Sequence, residues 1–193
     1  MTEDKNFVEE VSALLYRYRV VPAPENPVIF FGSSNFSRWK CIGADMAPFV
    51  CLDHAFGGSR DDDLLRWYKK LVVRFSPYAV VVNSSQNDVT AYDDRRITEN
   101  KRLLLTALKS DLPKSRIVLL SVIRSAPFRT KRVDALDESA KHLCAETGSE
   151  FVDISCLFDD GCFCDTSHLN REGQQRLADV LKNVLNSTKT EEK

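Results

Sequence analysis

Five residues whose types together can perform acyl transfer lie along this 193-residue chain: Ser34, Gly58, Asn87, Asp165 and His168. Such chemistry needs a hydroxyl nucleophile, an imidazole to take its proton, a carboxylate to orient that imidazole, and N–H donors where negative charge develops on the carbonyl oxygen. Ser34 follows Gly32-Ser33 at the end of an apolar run. A tight turn into a helix there would expose its hydroxyl and aim its own N–H at the site. Gly58 has no side chain to keep a substrate from its backbone N–H, and Asn87 offers an amide donor. Asp165 precedes His168 by three residues. One turn of chain at that spacing can set the carboxylate against one ring nitrogen and leave the other to face the serine.

Taken singly, each residue has a plainer role. A serine at a helix start is a cap, Gly57-Gly58 and Asn87-Asp88 are turn formers, and Asp-x-x-His can be a surface ion pair. Their joint placement carries the argument. Five apolar runs, Val28 to Phe31, Phe49 to Leu52, Ala79 to Asn83, Ile117 to Val122 and Phe151 to Ile154, lack polar alternation, as strands buried on both faces do. Helical periodicity fills gaps between them, at Leu64 to Phe75 and at Val133 to Cys144 before the stop signal Gly148; a first helix spans Phe7 to Tyr18, and a last one opens at Asn170. Alternating strands and helices predict one doubly wound α/β/α sandwich with a parallel sheet, in which ligands bind beyond the carboxyl ends of the strands. The candidate residues all follow such ends.

Net charge is −1, from 27 Lys+Arg and 28 Asp+Glu, which argues against a polyanion binder, so no nucleic-acid partner is expected. At 43% hydrophobic residues the chain reads as a single globular domain over 1–185, with residues 1–20 as an N-terminal helical extension and 186–193 as a frayed tail. Acidic residues at the N-terminus and the lack of a long apolar run predict a cytoplasmic protein without a membrane span. The six cysteines are then expected as thiols, with Cys41, Cys51, Cys144 and Cys156 in apolar contexts and Cys162 and Cys164 beside the Asp165 loop. Cys156, Cys162, Cys164 and His168 do not have zinc-site spacing, so no metal and no cofactor is expected. His142 falls opposite its helix's apolar stripe. Ser33, His54 and Arg124 are candidate pocket residues, His54 with a rim role as the alternative.

In order and spacing the motifs resemble those of the SGNH, or GDSL-type, hydrolase superfamily. Phe30-Phe31-Gly32-Ser33-Ser34 with Trp39 resembles the first, Ala55-Phe56-Gly57-Gly58-Ser59 the second, Gln86-Asn87-Asp88 the third, and Asp165-Thr166-Ser167-His168-Leu169-Asn170 the last. The similarity runs from about Val28 to Leu185. It implies a flavodoxin-like sandwich with sheet order 2-1-3-4-5 and metal-free hydrolysis of a small-molecule ester or thioester. Ser34 would then be nucleophile, His168 base and Asp165 its orienter, with Ser34 N–H, Gly58 N–H and the Asn87 side chain as oxyanion donors. The chain departs from the family pattern at Ser33, usually Asp, and at Ser85 and Thr166, usually Gly. Two alternatives stay open: an acyltransferase with the same triad, and a flavodoxin-like module cradling a phosphate or cofactor at Ser33 to Ser37. The oligomeric state is not legible.

Overall fold

Every residue of strands β1 (Val28–Gly32) and β3 (Ala79–Asn83) is buried, as expected of strands covered on both faces. In this computed structural model, which describes residues 6–187, three further strands join them: β2 (Cys51–Asp53), β4 (Arg116–Leu120) and β5 (Glu150–Val152). All pair in parallel in the order β2-β1-β3-β4-β5. The period of two along each strand divides the interior. Ile29, Phe31, Val80 and Val82 face one core, and Val28, Phe30, Val81 and Val118 face the other.

The first core is closed by α1 (Val8–Tyr16), α4 (Asp61–Leu71), α6 (Asp94–Asp111) and α7 (Lys131–Thr147), and the second by short α2 (Ser34–Ser37) and α3 (Ile42–Asp45) with α8 (Arg171–Asn186). A one-turn-plus helix, α5 (Ser85–Ala91), follows β3. This is a single α/β/α domain. Gly148 ends α7 in the left-handed conformation at φ 69°, and the Asn170 side chain caps α8 by accepting from the Gly173 N–H at 3.1 Å.

The sequence reading overlooked α6. Its signals were present: Asp93 accepts from the Arg96 N–H at 2.8 Å as N-cap, and Ile97, Leu104, Leu105 and Leu108 share its buried face. Charged residues between Asp93 and Arg102 had masked that stripe. Strand ends also move by one or two residues, since β4 stops at Leu120 rather than Val122. Asn186, where a frayed tail was expected to begin, still belongs to α8; residues 188–193 lie outside the described residues, as do 1–5. No helix among the described residues is long and apolar enough to cross a membrane.

One backbone contact fixes how β1 delivers the next residues. A Cβ on Gly32 would sit 2.0 Å from the Asn83 carbonyl oxygen, so only glycine lets β1 and β3 approach there. The chain then leaves the sheet with the Ser33 N–H bonded to that same oxygen at 3.0 Å, and Ser34 opens α2.

Candidate functional site

Ser34, the first residue of α2, stands at the carboxyl end of β1, while His168 arrives from a loop 134 positions later. His168 Nε2 lies 2.9 Å from Ser34 Oγ, and its Nδ1 lies 2.8 Å from both Asp165 carboxylate oxygens. A carboxylate only accepts, so Nδ1 carries the hydrogen and Nε2 presents its lone pair to the serine hydroxyl. Asp165 also accepts from the Ser167 N–H at 2.8 Å and the His168 N–H at 2.9 Å. The Ser167 amide, the His168 ring and the His168 amide together hold its pKa at about 2, so it stays charged at any working pH.

A second group converges from two other loops. Gly58, at φ 86° in the region that favours glycine, aims its N–H at Ser33 Oγ at 3.0 Å. The Asn87 Nδ2 donates to the same oxygen at 2.6 Å and to the Ser59 carbonyl at 3.0 Å. Two donors from separate strand ends thus meet on one oxygen, next in sequence to Ser34. Ser33, a candidate pocket residue, is here the shared acceptor of these two donors.

Positioning residues that the sequence did not reveal surround this pair of constellations. Asn35 donates to Gln86 Oε1 at 2.8 Å and to the Ser167 carbonyl at 3.2 Å, and accepts from the Leu169 N–H at 3.0 Å. It clamps the loop carrying His168 to the helix carrying Ser34. Asn35 directly follows Ser34, but nothing in its type says that it reaches 132 residues ahead. Arg38 Nη1 lies 3.3 Å from Asp165 Oδ2, an exposed contact worth little energy.

Beneath the donors lies a buried charge cluster. Asp61 accepts from Lys101 Nζ at 2.7 Å and from the Ser84 hydroxyl, Lys101 also donates to Ser85 Oγ at 3.2 Å, and the Asp61 N–H donates to the Asp88 carboxylate at 3.2 Å. Burial works against the charge on Lys101, but Asp61 and Asp88 outweigh it and raise its pKa. Burial and then Asp61 push Asp88 well above the carboxylate range. Asp61 is three residues beyond Gly58, and Asp88 is next to Asn87. The cluster therefore joins the two donor loops.

Two candidate pocket residues are elsewhere. His54 is fully buried: its Nδ1 donates to the Leu71 carbonyl at 2.5 Å, its Nε2 accepts from the Tyr18 hydroxyl at 2.9 Å, and its ring packs on Phe75. With both nitrogens engaged under α4, it lines no substrate pocket. Arg124 is also buried and committed, to Asp137 at 2.6 Å, Asp134 at 3.1 Å and the Phe128 carbonyl at 3.1 Å. A strand-end position was a poor guide for these long side chains, which turned inward to partners instead of toward the ligand side. The cysteines need a similar correction. Cys144 and Cys162 are buried, Cys51 half-buried, and Cys41, Cys156 and Cys164 exposed, so Cys41 and Cys156 are not the core residues expected; all six are free thiols. His142 is exposed. Among the described residues no three His, Cys, Asp or Glu side chains gather as metal ligands would.

Burial gives His54 a measurable signature. Removal from water lowers its pKa from 6.5 to about 4 against the opposing Leu71 hydrogen bond. The unfolded chain therefore binds this proton before the folded one does, and stability falls as pH drops from 6.5 toward 4. At ~1.36 kcal/mol per unit the loss is about 3 kcal/mol. Urea unfolding at pH 7 and pH 4 is expected to show that much more acid loss in the wild type than in His54→Phe. Equal losses in the two proteins would remove His54 as the cause.

Solved structures of a candidate acylhydrolase, a GDSL-like lipase and an esterase share this fold. A candidate acylhydrolase from Bacteroides fragilis superposes with a TM-score of 0.80 at 18% identity, covering 95% of this chain and 98% of that one. A GDSL-like lipase from Bacteroides thetaiotaomicron gives 0.76 at 18% identity, covering 94% and 98%, and the psychrotrophic esterase EstA from a Pseudoalteromonas species gives 0.68 at 14%, covering 84% and 100%. At such identities the likeness is one of fold. No protein-family profile and no curated protein matches the sequence.

Proposed function

We propose that this chain is a serine hydrolase of carboxylic ester or thioester bonds. The observation that carries the reading is the unbroken hydrogen-bonded line from Asp165 through His168 to Ser34 Oγ. The names of the fold neighbours, lipase and esterase among them, support the same class. Ser34 Oγ attacks the carbonyl carbon, and His168 Nε2 takes its proton while Asp165 holds the ring and balances the imidazolium. The carbonyl oxygen, now negative, replaces Ser33 Oγ as acceptor for the Gly58 N–H and Asn87 Nδ2, with the Ser34 N–H as third donor. His168 then protonates the leaving alcohol or thiol, and water, deprotonated by the same nitrogen, releases the acid. The chemistry requires neither metal nor cofactor, and the substrate is a small acylated molecule.

The phosphate-cradle alternative gives the Asp165–His168 pair no task. Transfer to an alcohol in place of water would use the same groups, and product analysis with an added acceptor separates the two. A fluorophosphonate is expected to label the wild type at Ser34, as judged by peptide mass spectrometry; an unlabelled Ser34 in folded protein would refute the reading. Asn87→Ala is expected to lower kcat by about 10² to 10³ with little change in KM, because the donor acts on charge that exists only in the transition state. Unchanged kcat in that variant would take Asn87 out of the mechanism.

A further inference from the structure

A cavity of about 440 Å³, within the range of small-molecule sites, is lined by Gly57 and by Ser37, three residues after Ser34. A Cβ on Gly57 would lie 3.8 Å from both Ser34 Cβ and Ser37 Oγ, so one lining residue of the cavity stands within contact distance of the serine side chain. The floor is apolar, with Ala55 and Phe56 buried and Leu14 half-buried. Its charged lining residues, Glu10, Arg17 and Lys40, are exposed and belong to the rim. Helix α1, with Ala13 on its cavity side, forms the outer wall.

The side on which the cavity lies decides which half of an ester it could hold. His168 must protonate the leaving group, so the alcohol or thiol half lies against the loop around Asp165 and His168. No residue of that loop lines the cavity, which is built from α1, α2 and the segment after β2. On the hydrolase reading above, we infer that this cavity is the acyl subsite, that it takes an unbranched apolar acyl chain longer than acetyl, and that α1 sets the chain length. An acetyl group would leave the apolar floor unused, whereas each further methylene leaves water against Leu14, Ala55 and Phe56.

The test measures kcat/KM on nitrophenyl acetate, propionate and butyrate for the wild type and for Ala13→Trp, which fills the cavity from its exposed wall. At ~0.8 kcal/mol per buried methylene, kcat/KM is expected to rise about four-fold per carbon in the wild type. In Ala13→Trp that rise disappears, the loss relative to the wild type growing with each added acyl carbon, and the preference between nitrophenyl and naphthyl acetate is unchanged. A flat or falling wild-type profile, equal loss on acetate and butyrate, or a changed alcohol preference would overturn the subsite. Binding is read separately by amide NMR of Ser34→Ala titrated with hexanoate, where shifts at Leu14, Phe56 and Gly57 support the subsite and their absence overturns it. If the wild type turns over no ester at all, the hydrolase reading fails, and the titration alone decides whether the cavity binds an acyl chain.

Discussion

Ser34→Ala is expected to lower kcat for a nitrophenyl ester by about 10⁶, the size of loss seen when the nucleophile of a comparable triad is removed. The residual rate would come from donors and binding, which the substitution leaves in place. Ser33 is no substitute nucleophile, because its hydroxyl is held by the Gly58 N–H and Asn87 Nδ2 while His168 Nε2 faces Ser34. Stability should hardly change. Ser34 is half-buried and sits at a helix start, where alanine keeps the backbone geometry. The measurement is turnover of the variant beside its thermal unfolding. A folded Ser34→Ala protein with more than about a tenth of wild-type activity would refute Ser34 as nucleophile.

The largest effect expected on stability comes from Lys101→Met. This lysine is only 4% exposed, and its ammonium is the cation paired with Asp61, which is fully buried. A buried ion pair is weak evidence of net stability, since desolvation offsets much of the attraction. Removing one partner is different: it leaves Asp61 charged, buried and unpaired, at a cost of about 3 to 5 kcal/mol. Asp61→Asn added to Lys101→Met removes the orphaned charge and should recover most of that loss. Urea denaturation of wild type, single and double variants measures both effects. A single variant within 1 kcal/mol of wild type, or a double variant no better than the single, would show that the pair does not carry this load. The cluster joins the Gly58 and Asn87 loops through Asp61, Ser84 and Asp88, so kcat should fall in the single variant even where it remains folded.

Much of the architecture was legible because buried parallel strands write themselves as uninterrupted apolar runs, and the glycine and asparagine that end or cap α7 and α8 leave local signals. α6 was missed because its apolar stripe is sparse among charges, with Lys101 occupying one of its buried positions. That lysine is interior only because Asp61, distant in sequence, waits there. Arg124 turned to partners that sequence spacing cannot show, and His54 took the hydrogen-bonded structural role that was the other reading of it.

By itself the sequence determined the five strands, the helices α1, α4, α7 and α8 between and around them, and which residue types stand at each strand end, since these depend on local periodicity and turn chemistry. Tertiary structure alone decided the rest: that Asn35 ties the His168 loop to Ser34, that two donors meet on Ser33 Oγ, that a lysine belongs to the core, and that α1 walls a cavity lined by Gly57, which contacts Ser34. Each of these is a contact between segments far apart in the chain. Such contacts follow from how the two layers of helices pack on a twisted sheet, which local propensity does not encode.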